Sequence, residues 1–351
     1  LSAGRRAVGP DKKYVRANFL FQSKELLNWE YMHPFVEEDR FTRVNDDGAC
    51  PYFWPIGDRH ILPFFSHTSG GQYLLGDYDK ARDKFWVTNH GKFNFGAVGP
   101  GGVHAPSAAP DGKGGVIIIF NINPAKPTQG WNQMMSLPRR LTMIGENKIG
   151  IEPFGDIESL RYEHQKVDAM TLPANKEIVL ENIRGKAMEI IAEIDPQDAQ
   201  MIEMNVFRSP NKEEYTRIIF QKDRGKREFS PYGIDVPRLG PLWPDYGRRP
   251  RPKRSIASLI TIESSYSSIL PDVRSRAPET GPIVLESDEI LKLRIFIDKS
   301  VVEVFANGKQ CVAQRVYPGL EDSDRISLRA QGSEAELIAF DAWQMKSIYN
   351  D

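Results

Sequence analysis

The chain has 351 residues, of which 46 are basic and 47 acidic, for a net charge of −1. That balance excludes a broad cationic surface for nucleic acid or for an anionic membrane, and no apolar run approaches the roughly 20 residues of a membrane helix. With two cysteines, Cys50 and Cys311, and six scattered histidines, neither a disulfide framework nor a metal or cofactor site is expected.

The first half reads as short strands separated by turns. Candidates in chain order are Tyr14–Gln22, His60–Ser66, Tyr73–Tyr78, Gly115–Ile122 and Ser136–Ile144. Turn-forming residues close them, as at Asp79-Lys80 and Pro110-Asp111-Gly112-Lys113-Gly114. Glycine and proline are spread throughout and helical periodicity is scarce, so the class is all-β, of the propeller, sandwich or barrel kind.

Near residues 150–165 the text changes to longer alternating strands, such as Ala187–Glu193 and Ile202–Arg208. The clearest unit runs Leu291–Ile297, Val301–Phe305 and Gln310–Val316. Its second turn is Asn307-Gly308, a strong hairpin dipeptide because both residues tolerate positive φ. An antiparallel meander of this kind suits a β-sandwich. Arg224–Arg254 is basic and rich in proline, and reads either as a solvated insertion or as a loop for an anionic partner.

Four segments resemble glycoside hydrolase family 32, the invertase and fructan-hydrolase family, in that family's own order. Phe21–Glu30 is similar to its "S-x-D-L-x-x-W" run, and Ala49-Cys50-Pro51 to its Glu-Cys-Pro signature. Gly130–Thr142 resembles "W-x-x-x-x-S-L-P-R-E-L-T", and Leu293–Pro318 resembles "L-R-I-F-x-D-x-S-x-V-E-V-F-x-N". The resemblance implies a five-bladed β-propeller followed by a β-sandwich. The implied division is residues 1–157 for the later part of the propeller and 158–351 for the sandwich. The family's "W-M-N-D-P-N-G" and "R-D-P" motifs, which carry its nucleophile and its transition-state stabiliser, have no counterpart in these residues. The chain is therefore expected to start after them, with too little sequence for five blades at ~40 residues each.

The implied function is hydrolysis of terminal fructosyl units of sucrose or fructans with retention. The alternative is a non-catalytic carbohydrate-binding or structural protein, because the family's general acid/base Glu falls on Ala49. If the segment is a regular strand, Asp47 shares the face of Ala49 and stands in as the acid. If it is not, Asp46-Asp47-Gly48 is a polar turn. Cys50 is expected to be buried beside the pocket. His104 aligns with a sugar-lining Tyr of the family and serves either a sugar hydroxyl or the fold. Trp54 and Trp131 are candidates for stacking on a sugar, with packing between blades as the other role for Trp131. Arg139 and Arg140 pair either with a pocket carboxylate or within the fold. An incomplete ring of blades would leave open edges and apolar faces, which implies a homo-oligomer or a complementary N-terminal segment as partner.

Overall fold

The computed structural model describes every residue except 9, 97–101, 227–255, 287 and 350–351. The basic, proline-rich loop expected at Arg224–Arg254 therefore lies almost wholly outside the described residues. Apart from one short 3-10 turn, Ile157–Leu160, the regular elements described are all strands. No helix among them is long and apolar enough to cross a membrane.

The chain opens with two small antiparallel pairs, Arg5–Val8 with Lys13–Arg16 and Phe19–Gln22 with Glu30–Pro34. The single strand expected over Tyr14–Gln22 is thus divided, and the cause is a change of partner. The Ala17 N–H donates to the Gly4 carbonyl, whereas the Asn18 carbonyl accepts from Phe35. A five-stranded sheet follows, in the order Val36–Glu37, Lys84–Lys92, Gly70–Asp79, Arg59–Ser66, Trp54–Ile56. A second sheet orders Val103–Pro110, Val116–Ile122, Arg139–Gly145 and Lys148–Pro153, with Met134–Met135 also on the Val116–Ile122 strand. Here too a long expected strand, Ser136–Ile144, is shortened. Ser136 bonds back to Phe120, and the Leu137 N–H leaves the sheet to donate to Glu303.

Beyond Pro153 two larger sheets pack face to face as a β-sandwich. One contains Arg161–Val167, Met170–Leu172, Ala187–Asp195, Leu291–Asp298, Val301–Ala306, Gln310–Arg315 and Ala335–Met345. The other contains Glu177–Arg184, Met201–Arg208, Thr216–Lys226, Ile256–Glu263, Glu279–Ile283 and Arg325–Gln331. Strand alternation sends Val302, Val304 and Val312 into the core between these two sheets. The same strands send Val301, Phe305, Cys311 and Ala313 the other way, into a core shared with Val116, Ile118 and Phe120. The sheet is thus covered on both faces, which explains its nearly unbroken apolar text. Asn307 and Gly308 turn the meander with φ of 51° and 61°, as their chemistry predicts.

Polar bonds fix the two halves to each other. Arg139 and Glu303 form a buried ion pair at 2.9 Å. Glu279 reaches across to accept from the Asn94 amide at 3.1 Å and from the backbone N–H of Phe95 at 2.5 Å. The Tyr317 hydroxyl accepts from Ala125 at 3.1 Å. The Arg139 pairing is therefore structural, and Arg140 pairs with Asp111 at 2.6 Å.

Candidate functional site

Residues 43–52 run beside the strand Arg59–Ser66 without forming a regular strand. The Phe65 N–H donates to the Ala49 carbonyl at 2.7 Å and the Tyr52 N–H to the Pro63 carbonyl at 3.0 Å. Between these contacts Asn45, Gly48 and Cys50 have φ of 71°, 59° and 51°. Positive φ breaks the pleat, so the two-residue alternation that would place Asp47 on the face of Ala49 does not apply. This corrects the strand expectation: the segment is irregular, and other contacts decide where Asp47 points. Gly48 is required here, because a Cβ would stand 2.4 Å from Cδ of the buried Arg16.

The two aspartates separate. Asp46 is buried and accepts from Ser66 Oγ at 2.8 Å, from Ser69 Oγ and from the Arg43 N–H at 2.9 Å. It thereby fixes the 66–69 turn at the tip of the hairpin. Asp47 turns outward and meets His67, which that turn carries. Its Oδ2 lies 2.6 Å from His67 Nδ1, and its Oδ1 accepts the His67 backbone N–H at 3.3 Å. Arg5 Nη2 approaches the same Oδ2 to 3.6 Å. A carboxylate accepts, so the shared proton belongs to Nδ1 and leaves Nε2 without a hydrogen-bond partner among the described residues. The His67 side chain keeps 65% of its surface exposed, against 20% for Asp47.

His104 joins this group from the second sheet. Its ring stands edge-on to the buried Phe65 at 4.5 Å and 80°, and His67 meets the same phenyl edge-on at 5.4 Å. The two imidazoles are 6.4 Å apart. A register shift between His104 and Ser107 and a φ of 45° at Ala105 set the ring out of the regular strand. Its Nδ1 is buried without a partner. Desolvation, and then the charge of His67, lower its pKa, so the ring is held neutral.

Cys50 is beside Asp47 but exposed, which corrects the expectation of a buried side chain. The left-handed backbone at this residue turns it out of the sheet. Desolvation and the Asp47 charge push the thiol up, away from thiolate chemistry. The tryptophans lie elsewhere. Trp54 Nε1 donates to the Ala108 carbonyl at 3.0 Å and packs between the two N-terminal sheets. Trp131 is 47% exposed, has the Arg315 guanidinium 4.9 Å from its ring, and lines a cleft of about 440 Å³ with Pro124, Lys126, Thr128 and Arg274.

The structure therefore brings together Asp47, His104 and Cys50 of the expected residues, and adds His67 and Arg5, which the sequence reading missed. The available signal was the polar turn Ser66-His67-Thr68-Ser69 after an apolar strand. It became visible only once the pairing of Ala49 with Phe65 was known. Among the described residues no group of three or more His, Cys, Asp or Glu side chains is placed to hold a metal ion.

The family model described as "Glycosyl hydrolases family 32 C terminal" matches residues 156–344. A beta-fructofuranosidase, insoluble isoenzyme 2, of Daucus carota is 22% identical, covering 97% of this chain and 62% of that protein. A fructan 1-exohydrolase of Aegilops speltoides is 26% identical over the same shares. The chain thus spans 62% of the length of these curated relatives. Among solved structures, fructan 1-exohydrolase IIa from Cichorium intybus superposes with a TM-score of 0.75 at 16% identity, covering 99% of this chain and 71% of that one. At that identity the likeness speaks for the fold.

Proposed function

The chain belongs to glycosyl hydrolase family 32, and on that premise we propose that it acts as a β-fructofuranosidase-type hydrolase, cleaving terminal fructosyl units of sucrose or fructans with retention. In this reading residues 1–157 are the later part of a β-propeller and 158–351 the sandwich. The two small strand pairs and the two N-terminal sheets are then its blades. The observation that carries the reading is that Asp47 holds His67, which meets His104 across Phe65. Two segments far apart in sequence, both resembling the family's pocket motifs, converge there. Asp47 supplies the carboxylate that Ala49 lacks. His104, held neutral, offers a hydrogen bond to a sugar hydroxyl. A retaining enzyme also needs a nucleophilic carboxylate about 5–5.5 Å from the acid. The family's nucleophile motif is not among these residues, so a complementary segment or a second copy of the chain is the proposed partner.

A second reading, binding without cleavage, is favoured by one specific observation. Asp47 is engaged by the His67 ring, the His67 N–H and Arg5, which suits it to accept and orient more than to hand over a proton. Fructose release from sucrose and 1-kestose, measured for the wild type and Asp47→Asn with the partner that supplies the nucleophile present, separates the two. The hydrolase reading predicts release that falls by roughly 10²-fold or more in the variant. It also predicts a smaller fall for an aryl fructoside, whose leaving group needs little protonation. Calorimetric binding of 1-kestose with no release from either protein would establish the second reading instead.

A further inference from the structure

We propose that His67 carries the proton in this site and that Asp47 is its positioning partner. The inference rests on the hydrolase reading and changes which atom meets the departing oxygen. A group that hands a proton to a ligand must reach the ligand with a free face. Asp47 does not offer one: Oδ1 accepts the His67 N–H at 3.3 Å, and Oδ2 is shared between Nδ1 at 2.6 Å and Arg5 at 3.6 Å. Its side chain is four-fifths covered, while the imidazole it holds is 65% exposed.

The neighbouring aspartate completes the arrangement. Asp46 holds Ser66 and Ser69, the residues flanking His67 in the turn, and so sets the backbone from which the ring projects. Asp47 then sets the ring itself. One carboxylate fixes the turn and the other the tautomer, so Nε2 presents a defined edge. Two imidazolium ions 6.4 Å apart repel each other, and burial already disfavours charge on His104. His67 faces Asp47, which Arg5 also approaches, with His104 across Phe65 as the other titratable ring beside it.

The bond between the anomeric carbon and the glycosidic oxygen breaks, with its electron pair going to the oxygen. That oxygen takes the proton from Nε2, leaving neutral imidazole. The partner segment's nucleophilic carboxylate forms its bond to the anomeric carbon as the glycosidic bond breaks. Water then displaces that carboxylate, forming the new carbon–oxygen bond and returning a proton to Nε2, for net hydrolysis with retention.

The test uses the full chain together with the partner that supplies the nucleophilic carboxylate, with sucrose as substrate, and compares His67→Gln, His67→Ala and Asp47→Asn. His67→Gln is expected to lower kcat by roughly 10²-fold with KM little changed. Added imidazole should restore part of the activity of His67→Ala. Asp47→Asn should lower kcat with KM little changed, and Asp47→Glu, which keeps the carboxylate, should recover part of the loss. His67 is at the surface, so its variants keep the fold and decide the matter even if Asp47→Asn does not. An active wild type with His67→Gln within about threefold of it overturns the proposal and returns the acid role to Asp47. A wild-type chain that hydrolyses nothing even with that partner present overturns the hydrolase reading and this proposal together, an outcome separate from the first.

Discussion

Asp46 and Asp47 are neighbours in sequence and chemically identical, yet three positive-φ residues around them send one into the protein and the other out. Sequence patterning could not foresee this, because alternation holds only where the pleat is regular. The turn chemistry of Asp46-Asp47-Gly48 was legible, but its consequence was not, since the partner His67 comes from the tip of a separate hairpin. Gly48 gives the sharpest test of the local geometry. Its φ of +59° costs an L-residue about 1–2 kcal/mol. A Cβ would also press on Arg16, which the ion pair with Asp39 and the ring of Phe64 hold in place. Gly48→Ala is therefore expected to destabilise the chain by roughly 2–4 kcal/mol. It should also disturb the placing of Asp47, seen as a lower denaturation midpoint together with weaker fructoside binding. An unchanged midpoint would show that the segment adapts.

Among the elements, the meander Leu291–Asp298, Val301–Ala306 and Gln310–Arg315 was readable almost to the residue. Its apolar run and Asn307-Gly308 turn leave few alternatives. The sequence did not show that the run is apolar because it serves two cores. Glu303 lies in the middle of it, with both oxygens used: one accepts Leu137 N–H at 2.6 Å and the other Arg139 at 2.9 Å. Glu303→Ala leaves a buried guanidinium unpaired and should cost about 3–5 kcal/mol in chemical denaturation. The double variant Arg139→Met, Glu303→Met should cost less than the single one. Equal losses would deny the pair its role. Glu279, the other polar link, is pushed up by burial from 4.5 to about 7, against the hydrogen bonds of Phe95, Gly96 and Asn94. The folded state thus binds a proton that the unfolded state releases. Its contribution is fully present below the ordinary carboxylate range and is lost as pH rises through 7, by at most roughly 3 kcal/mol. His90 acts in the opposite sense: burial lowers it to about 3, so its contribution is lost as pH falls below the ordinary histidine range. Raising the pH from 5 to 8 should therefore favour the folded state, read as the unfolding midpoint, more in Glu279→Gln than in the wild type, because the gain from His90 is no longer offset by the loss from Glu279. An identical difference in the two proteins would contradict the burial argument.

At the scale of the molecule, the sheets beyond Pro153 enclose a core of their own, while the first strand pairs do not. The pair Phe19–Gln22 and Glu30–Pro34 has only two strands and carries Leu26, Leu27 at 81% exposure, and Trp29 on its connection. Two strands alone are marginal in water, and an apolar tip of this kind calls for a neighbour. The chain is expected to self-associate with rising concentration in light scattering, and Leu27→Ser with Trp29→Ser should weaken it. A monomer at every concentration would show that the hairpin needs no cover. The resemblance to family 32 was carried by short motifs spread across the whole length, which is why the family was legible while the grouping of Asp47, His67 and His104 was not. The most direct test of the site is a crystal structure of the Asp47→Asn chain with 1-kestose. The account predicts the terminal fructosyl unit between His104 and His67, with its glycosidic oxygen within about 3.2 Å of His67 Nε2. A ligand seated instead in the Trp131 cleft, with residues 47, 67 and 104 untouched, would contradict it.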